Sequence, residues 1–117
     1  MIPINSDVFS SIAAKAYHAA DSPSYSLGDV ISIFEYYFNK YEETFGSVHP
    51  NVRQAQIQRM IEDMPFVTGE YGNPIDLEPE DYYPMIDRHF QTQYRCDYNI
   101  NHFFSGDIRL YRFYEIM

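Results

Sequence analysis

The sequence predicts a mostly α-helical protein, a single compact domain over residues 1–117 with about five helices and one long acidic loop. Three observations carry that expectation. Apolar residues recur at helical spacing, most plainly at Val30, Phe34, Tyr37, Phe38, Tyr41 and Phe45. A length of 117 residues suits one domain, and 12 Tyr with 9 Phe supply far more burial than a disordered composition carries. Glycine, proline and acidic residues concentrate in one stretch, 65–81, which interrupts the helical pattern.

The elements follow in order. Phe9, Ile12, Ala13, Ala16 and Tyr17 share one face of a first helix over Ser6 to Ala20, capped by Asn5 or Ser6 with Asp7 beside the positive end of the dipole. Pro23 lies in a polar connection that discourages continuation. Ser26 caps the second helix, and Gly46 stands where a left-handed residue would stop it. Ile31, Ile33 and Tyr36 fall partly off its main stripe, so this helix should be covered on more than one side and central in the fold. A third helix is expected to open near His49, with Pro50 at its first position and Val52, Ala55, Met60, Ile61 and Met64 on its buried side. Pro65 then ends it.

Residues 65–81 form the long connection, anchored by Phe66 and Val67, with room for a short strand or hairpin at Phe66–Tyr71. A fourth helix opens at Asp81 or Tyr82, keeps Pro84 in its first turn, and buries Met85, Ile86, His89 and Phe90. A helical turn over 99–104 and a last helix follow, the latter capped around Ser105–Asp107 and carrying Ile108, Leu110, Tyr111, Phe113 and Tyr114.

The net charge of −9 argues against general nucleic-acid binding, which depends on Lys and Arg neutralising phosphates. That charge is uneven. Residues 1–52 carry −4, residues 53–87 carry −6, and residues 88–117 carry +1. A single cysteine, Cys96, excludes a disulfide framework. The longest apolar runs are too short for a transmembrane helix, and the N-terminus lacks the basic-then-apolar order of a secretory signal. The expectation is a soluble, cytoplasmic protein with no membrane association.

No catalytic constellation stands out, and the reading is of a protein that is not an enzyme and holds no cofactor. His18, His49, His89 and His102 are far apart, without the close ligand pairs of a structural zinc site, so no metal residues are assigned. Arg95 favours a Cys96 thiolate while Asp97 opposes it, and a catalytic cysteine further needs a base such as His89 or His102 brought beside it. The acid pairs Glu42–Glu43, Glu62–Asp63 and Glu80–Asp81 point about 100° apart on a helix and do not converge on a substrate. No glycine-rich phosphate loop is present.

Binding chemistry is better represented. Tyrosine brings contact area with a polar handle and is enriched at protein interfaces. Tyr36, Tyr71, Tyr82 and Tyr83 are the tyrosines least explained by a helical core stripe, and three of them flank the acidic loop. A partner-binding surface is therefore expected from Glu62, Asp63, Glu70, Tyr71, Asp76, Glu78, Glu80, Asp81, Tyr82 and Tyr83. It would suit an unknown, basic protein partner, as an acidic inhibitor or adaptor of a DNA-handling protein. The alternative is a helical DNA-binding or replication-accessory domain that uses Arg53, Arg59, Arg109 and Arg112. An exposed aromatic surplus also fits a homodimer.

The run from Cys96 to Arg109, the following Arg112–Glu115, and the segments Tyr25–Ile31 and His49–Asn51 resemble small acidic proteins of gut Firmicutes and their mobile elements. Those proteins have no assigned activity. The resemblance implies a bacterial cytoplasmic setting among accessory genes and carries no functional residues over.

Overall fold

A computed structural model describes residues 6–21, 23–92 and 98–117. Among them, six helices form: α1 (Ser6–Ala19), α2 (Leu27–Phe45), α3 (Gln54–Asp63), α4 (Tyr82–Gln91), α5 (Ile100–Phe103) and α6 (Ile108–Ile116). Between α3 and α4, strands β1 (Phe66–Thr68) and β2 (Pro74–Asp76) pair antiparallel, and a 3-10 turn at Pro79–Asp81 leads straight into α4. The larger helix contacts run α3 to α1, α1 to α2, α2 to α4 and α4 to α6, which makes α2 the middle member. The radius of gyration is 13.6 Å, against about 13 Å expected for one compact domain of this length.

Local chemistry accounts for most boundaries. The Ser26 side chain accepts the Asp29 N–H at 3.1 Å, which caps α2. Gly46 takes φ 70° and returns its N–H to the Glu42 carbonyl. This is the left-handed ending that a Cβ would oppose. Phe9 packs edge-on against Phe34 and Phe38 of α2, with ring centroids 5.4 and 5.0 Å apart. On the other side of α2, Tyr37 meets His49, His89, Phe90 and Phe103.

Several expectations need correction. Helix α3 does not open at His49 with Pro50 in first position; it opens at Gln54, after Arg53, whose N–H is held by the Gln56 side chain at 3.0 Å. The cause is His49, whose fully buried ring accepts the Ile100 N–H on Nε2 at 3.0 Å and lies 2.7 Å from the Pro50 carbonyl through Nδ1. That ring ties residues 49–50 to the start of α5 rather than to a helix of their own. Ala55 is exposed, and Phe45, at the end of the α2 stripe, is 45% exposed, its ring touching Tyr41 and Tyr98 but not entering the core. In the connection 65–81 the strand expected within Phe66–Tyr71 forms at Phe66–Thr68, pairs with Pro74–Asp76 beyond that stretch, and is followed by a helical turn. The Arg95–Asp97 segment, with Cys96, lies outside the described residues. No described helix is long and apolar enough to cross a membrane.

Candidate functional site

Helix α3 ends with carbonyls that the helix itself cannot satisfy. Three side chains from three other segments meet them. Tyr82, fully buried at the start of α4, donates its hydroxyl to the Met64 carbonyl at 2.8 Å. Tyr25, between α1 and α2, donates to the Leu77 carbonyl at 2.5 Å, with the Met64 carbonyl 3.3 Å away. Arg109 of α6 donates through Nη1 to the Asp63 carbonyl at 3.0 Å, the Phe66 carbonyl at 3.1 Å and the Tyr82 hydroxyl at 2.9 Å. Its positive charge thereby sits at the negative end of the α3 dipole. Burial pushes the Tyr82 hydroxyl up to about 12 against the lowering influence of Arg109, and burial likewise raises Tyr25. Both phenols stay protonated donors at neutral pH.

This network fixes the base of the hairpin. The Leu77 N–H closes it on the Pro65 carbonyl at 2.8 Å, and Val67 turns inward into the core opposite Ile75. At the far end, the Gly69 N–H bonds to the Asn73 carbonyl at 2.7 Å and the Gly72 N–H to the Gly69 carbonyl at 3.0 Å. Gly72, at φ 80°, makes the turn that holds Tyr71 at the tip. Tyr71 is 92% exposed. Phe66, Thr68, Pro74 and Asp76 occupy the outward face of the strands and are all exposed.

The expected partner-binding residues divide accordingly. Glu70, Tyr71, Asp76, Glu78 and Glu80 are exposed along the hairpin and the turn after it, and among the described residues none of these acids has an ion-pair partner. Asp81 is half-buried and accepts the Glu78 N–H at 2.8 Å, which gives it a structural task. Glu62 and Asp63 separate. Glu62 accepts the Asp21 N–H at 3.1 Å, whereas Asp63 lines clefts on the α5–α6 side. Tyr82, expected at the surface, is a buried anchor instead. Tyr83 packs on Tyr36 (5.0 Å between rings) and shares a hydrogen bond with Ser32, so it belongs to the α2–α4 contact. Tyr36 donates to Asp87 at 2.7 Å, and this bond to a carboxylate raises its hydroxyl to about 12.

The alternative arginine set divides as well. Arg53 and Arg59 are exposed on or beside α3, but Arg109 and Arg112 are buried and engaged within the protein. Arg112 pairs with Glu115 and donates to Thr92. These two arginines do not present a phosphate-binding patch. The signal for their burial was available, because Ile108 and Arg112, and Arg109 and Phe113, are i,i+4 pairs that put guanidinium groups on the apolar side of a helix.

Among the described residues, one cleft of about 420 Å³ lies beside Tyr25, Pro65 and Leu77, and two more flank the anchored base on its α5–α6 side. One of about 370 Å³ lies between α3 and the α5–α6 turn, with Arg59, Asp63, Asn101 and Phe104 on its walls. The other, about 280 Å³, separates β1 from the start of α6 and is lined by Asp63, Phe66, Thr68, Asp107 and Arg109 among others. Among the described residues, no group of three His, Cys, Asp or Glu side chains converges to hold a metal ion. No protein family, curated protein or solved structure matches the chain.

Proposed function

We propose that this protein is a non-enzymatic interaction module that binds a basic protein partner, acting as an acidic inhibitor or adaptor of a DNA-handling protein. One observation carries the reading: Tyr71 stands 92% exposed on a hairpin whose base is tied down by Tyr25, Tyr82 and Arg109. An aromatic side chain held out by an ordered segment brings contact area to a partner at little cost in conformational entropy. Glu70, Asp76, Glu78 and Glu80 accompany it, and acids without internal ion pairs are the ones left to meet Lys and Arg across an interface. The DNA-binding alternative retains only Arg53 and Arg59 at the surface of a chain with net charge −9.

The test is capture from host lysate, with and without nuclease, at low and high salt. The baits are the wild type, Tyr71→Ala, and an Asp76→Asn, Glu78→Gln, Glu80→Gln triple variant. Asp81 is left intact because it holds the Glu78 N–H. The expected result is a basic protein that survives nuclease, is lost at high salt, and is lost from both variants. Capture that is unchanged in both variants overturns the proposal, and recovery of nucleic acid alone favours the arginine reading.

A further inference from the structure

The groove between β1 and the start of α6 holds a cation, Arg109, that no carboxylate among the described residues contacts directly. Arg109 lines it and is only 9% exposed. Among the described residues, no carboxylate forms an ion pair with Arg109. Its three hydrogen bonds all leave from Nη1, so its Nε and Nη2 donors have no partner among those residues. A guanidinium with that edge unused is built to take a carboxylate through two parallel hydrogen bonds.

Two further sets of donors border the same groove. Asp107 is the N-cap of α6 but makes no side-chain capping bond, so among the described residues the first N–H groups of this nine-residue helix have no side-chain acceptor. On β1, the bonds joining Pro65 to Leu77 and Gly69 to Asn73 fix which residues face β2. By the alternation of an antiparallel ladder, the backbone groups of Phe66 and Thr68 point to the outer edge instead. The Phe66 carbonyl receives Arg109, while among the described residues no group bonds the Thr68 N–H or carbonyl there. The opposite edge of the hairpin is less receptive, because Pro74 has no N–H to offer.

Two carboxylates, Asp63 and Asp107, line the groove beside this cation. They repel a phosphate dianion and favour a ligand that carries a positive charge of its own. The volume of about 280 Å³ falls just below the range of small-molecule sites, about 300 to 1,000 Å³, and suits one or two residues. We propose that the groove binds the C-terminus of a peptide ending in Lys or Arg. The terminal carboxylate pairs with Arg109 and the first N–H groups of α6. The peptide backbone adds a short strand on Thr68, and the terminal side chain pairs with Asp63 and Asp107. This inference stands without the hairpin-tip reading, since it uses neither Tyr71 nor the acids of residues 70–80.

Amide NMR of the full chain tests it with three probes: the N-acetylated tripeptide Gly-Ala-Lys bearing a free carboxylate, the same peptide as a C-terminal amide, and free lysine. The free-acid peptide is expected to shift Thr68, the Gly106–Leu110 amides and the Arg109 Nε–H. The C-terminal amide should bind about tenfold more weakly or worse, having lost its charge-assisted hydrogen bonds. Asp107→Asn, at an exposed position, should weaken the free-acid peptide while the core amides stay in place. This variant is preferred to any change of Arg109, which also ties α3 to the hairpin. Equal affinity for acid and amide peptides, or shifts away from the groove, overturns the assignment. Free lysine binding as tightly as the peptide overturns the peptide as the ligand.

Discussion

Replacing Tyr82 with Phe removes one oxygen from a fully buried position and leaves the ring in place, so the change isolates the hydroxyl. That hydroxyl donates to the Met64 carbonyl at 2.8 Å and accepts from the Arg109 guanidinium at 2.9 Å. A neutral hydrogen bond contributes about 1 kcal/mol and one to a charged group about 1.5–3 kcal/mol. Met64 keeps Tyr25 nearby at 3.3 Å, and Arg109 Nη1 keeps two carbonyls, so the loss falls below the simple sum. The expected destabilisation is about 2–3 kcal/mol, a large fraction of the roughly 5–15 kcal/mol typical of a domain. Urea unfolding measures it as a lower midpoint with an unchanged slope. Tyr83→Phe is the control: its hydroxyl shares an exposed hydrogen bond with Ser32, so its cost should stay within about 0.5 kcal/mol. A Tyr82→Phe variant as stable as Tyr83→Phe would refute the claim that this network fastens the hairpin base.

The remaining predictions concern pH and a helix end. His89 is buried, and burial, with smaller contributions from the Arg112 charge and His102, lowers its pKa from 6.5 to about 4. The folded state therefore binds fewer protons there than the unfolded chain does, so this stabilisation is complete above pH 6.5 and falls away toward pH 4. The unfolding midpoint should decline less steeply across that window in His89→Phe than in the wild type, and identical slopes would contradict it. Gly46→Ala places a Cβ at φ 70° with no atom within 4 Å, so its penalty is conformational alone. It should cost about 1 kcal/mol in urea unfolding, and Gly46→Asn, which tolerates the left-handed region better, should recover part of that.

Much of the helical frame was legible because each signal was local. The α2 stripe, its Ser26 cap and its Gly46 stop need only neighbouring residues to act, and they fall where the spacing puts them. The start of α3 was misread because His49 is held by a bond to Ile100, 51 residues away, and no local pattern reports that. Tyr82 and Tyr83 sit next to each other in an acidic context, yet helical rotation sends one into the core and the other toward α2. Arg109 and Arg112 read as surface charge by residue type. Their burial follows from carbonyls at the end of α3 and from Glu115, which supply the polar partners a buried guanidinium requires. Glycine and proline in 65–81 marked a connection correctly, but the register that makes it a hairpin emerges only when residues 65 and 77 meet.

The most direct measurement on the central claim is site-specific photocrosslinking in the native host, with a photoreactive amino acid at position 71 and, as a control, at exposed Asn51. The account predicts an adduct with one basic protein from position 71 but not from position 51, and its loss when Asp76, Glu78 and Glu80 are neutralised. No adduct at position 71, or the same adduct from both positions, would contradict it.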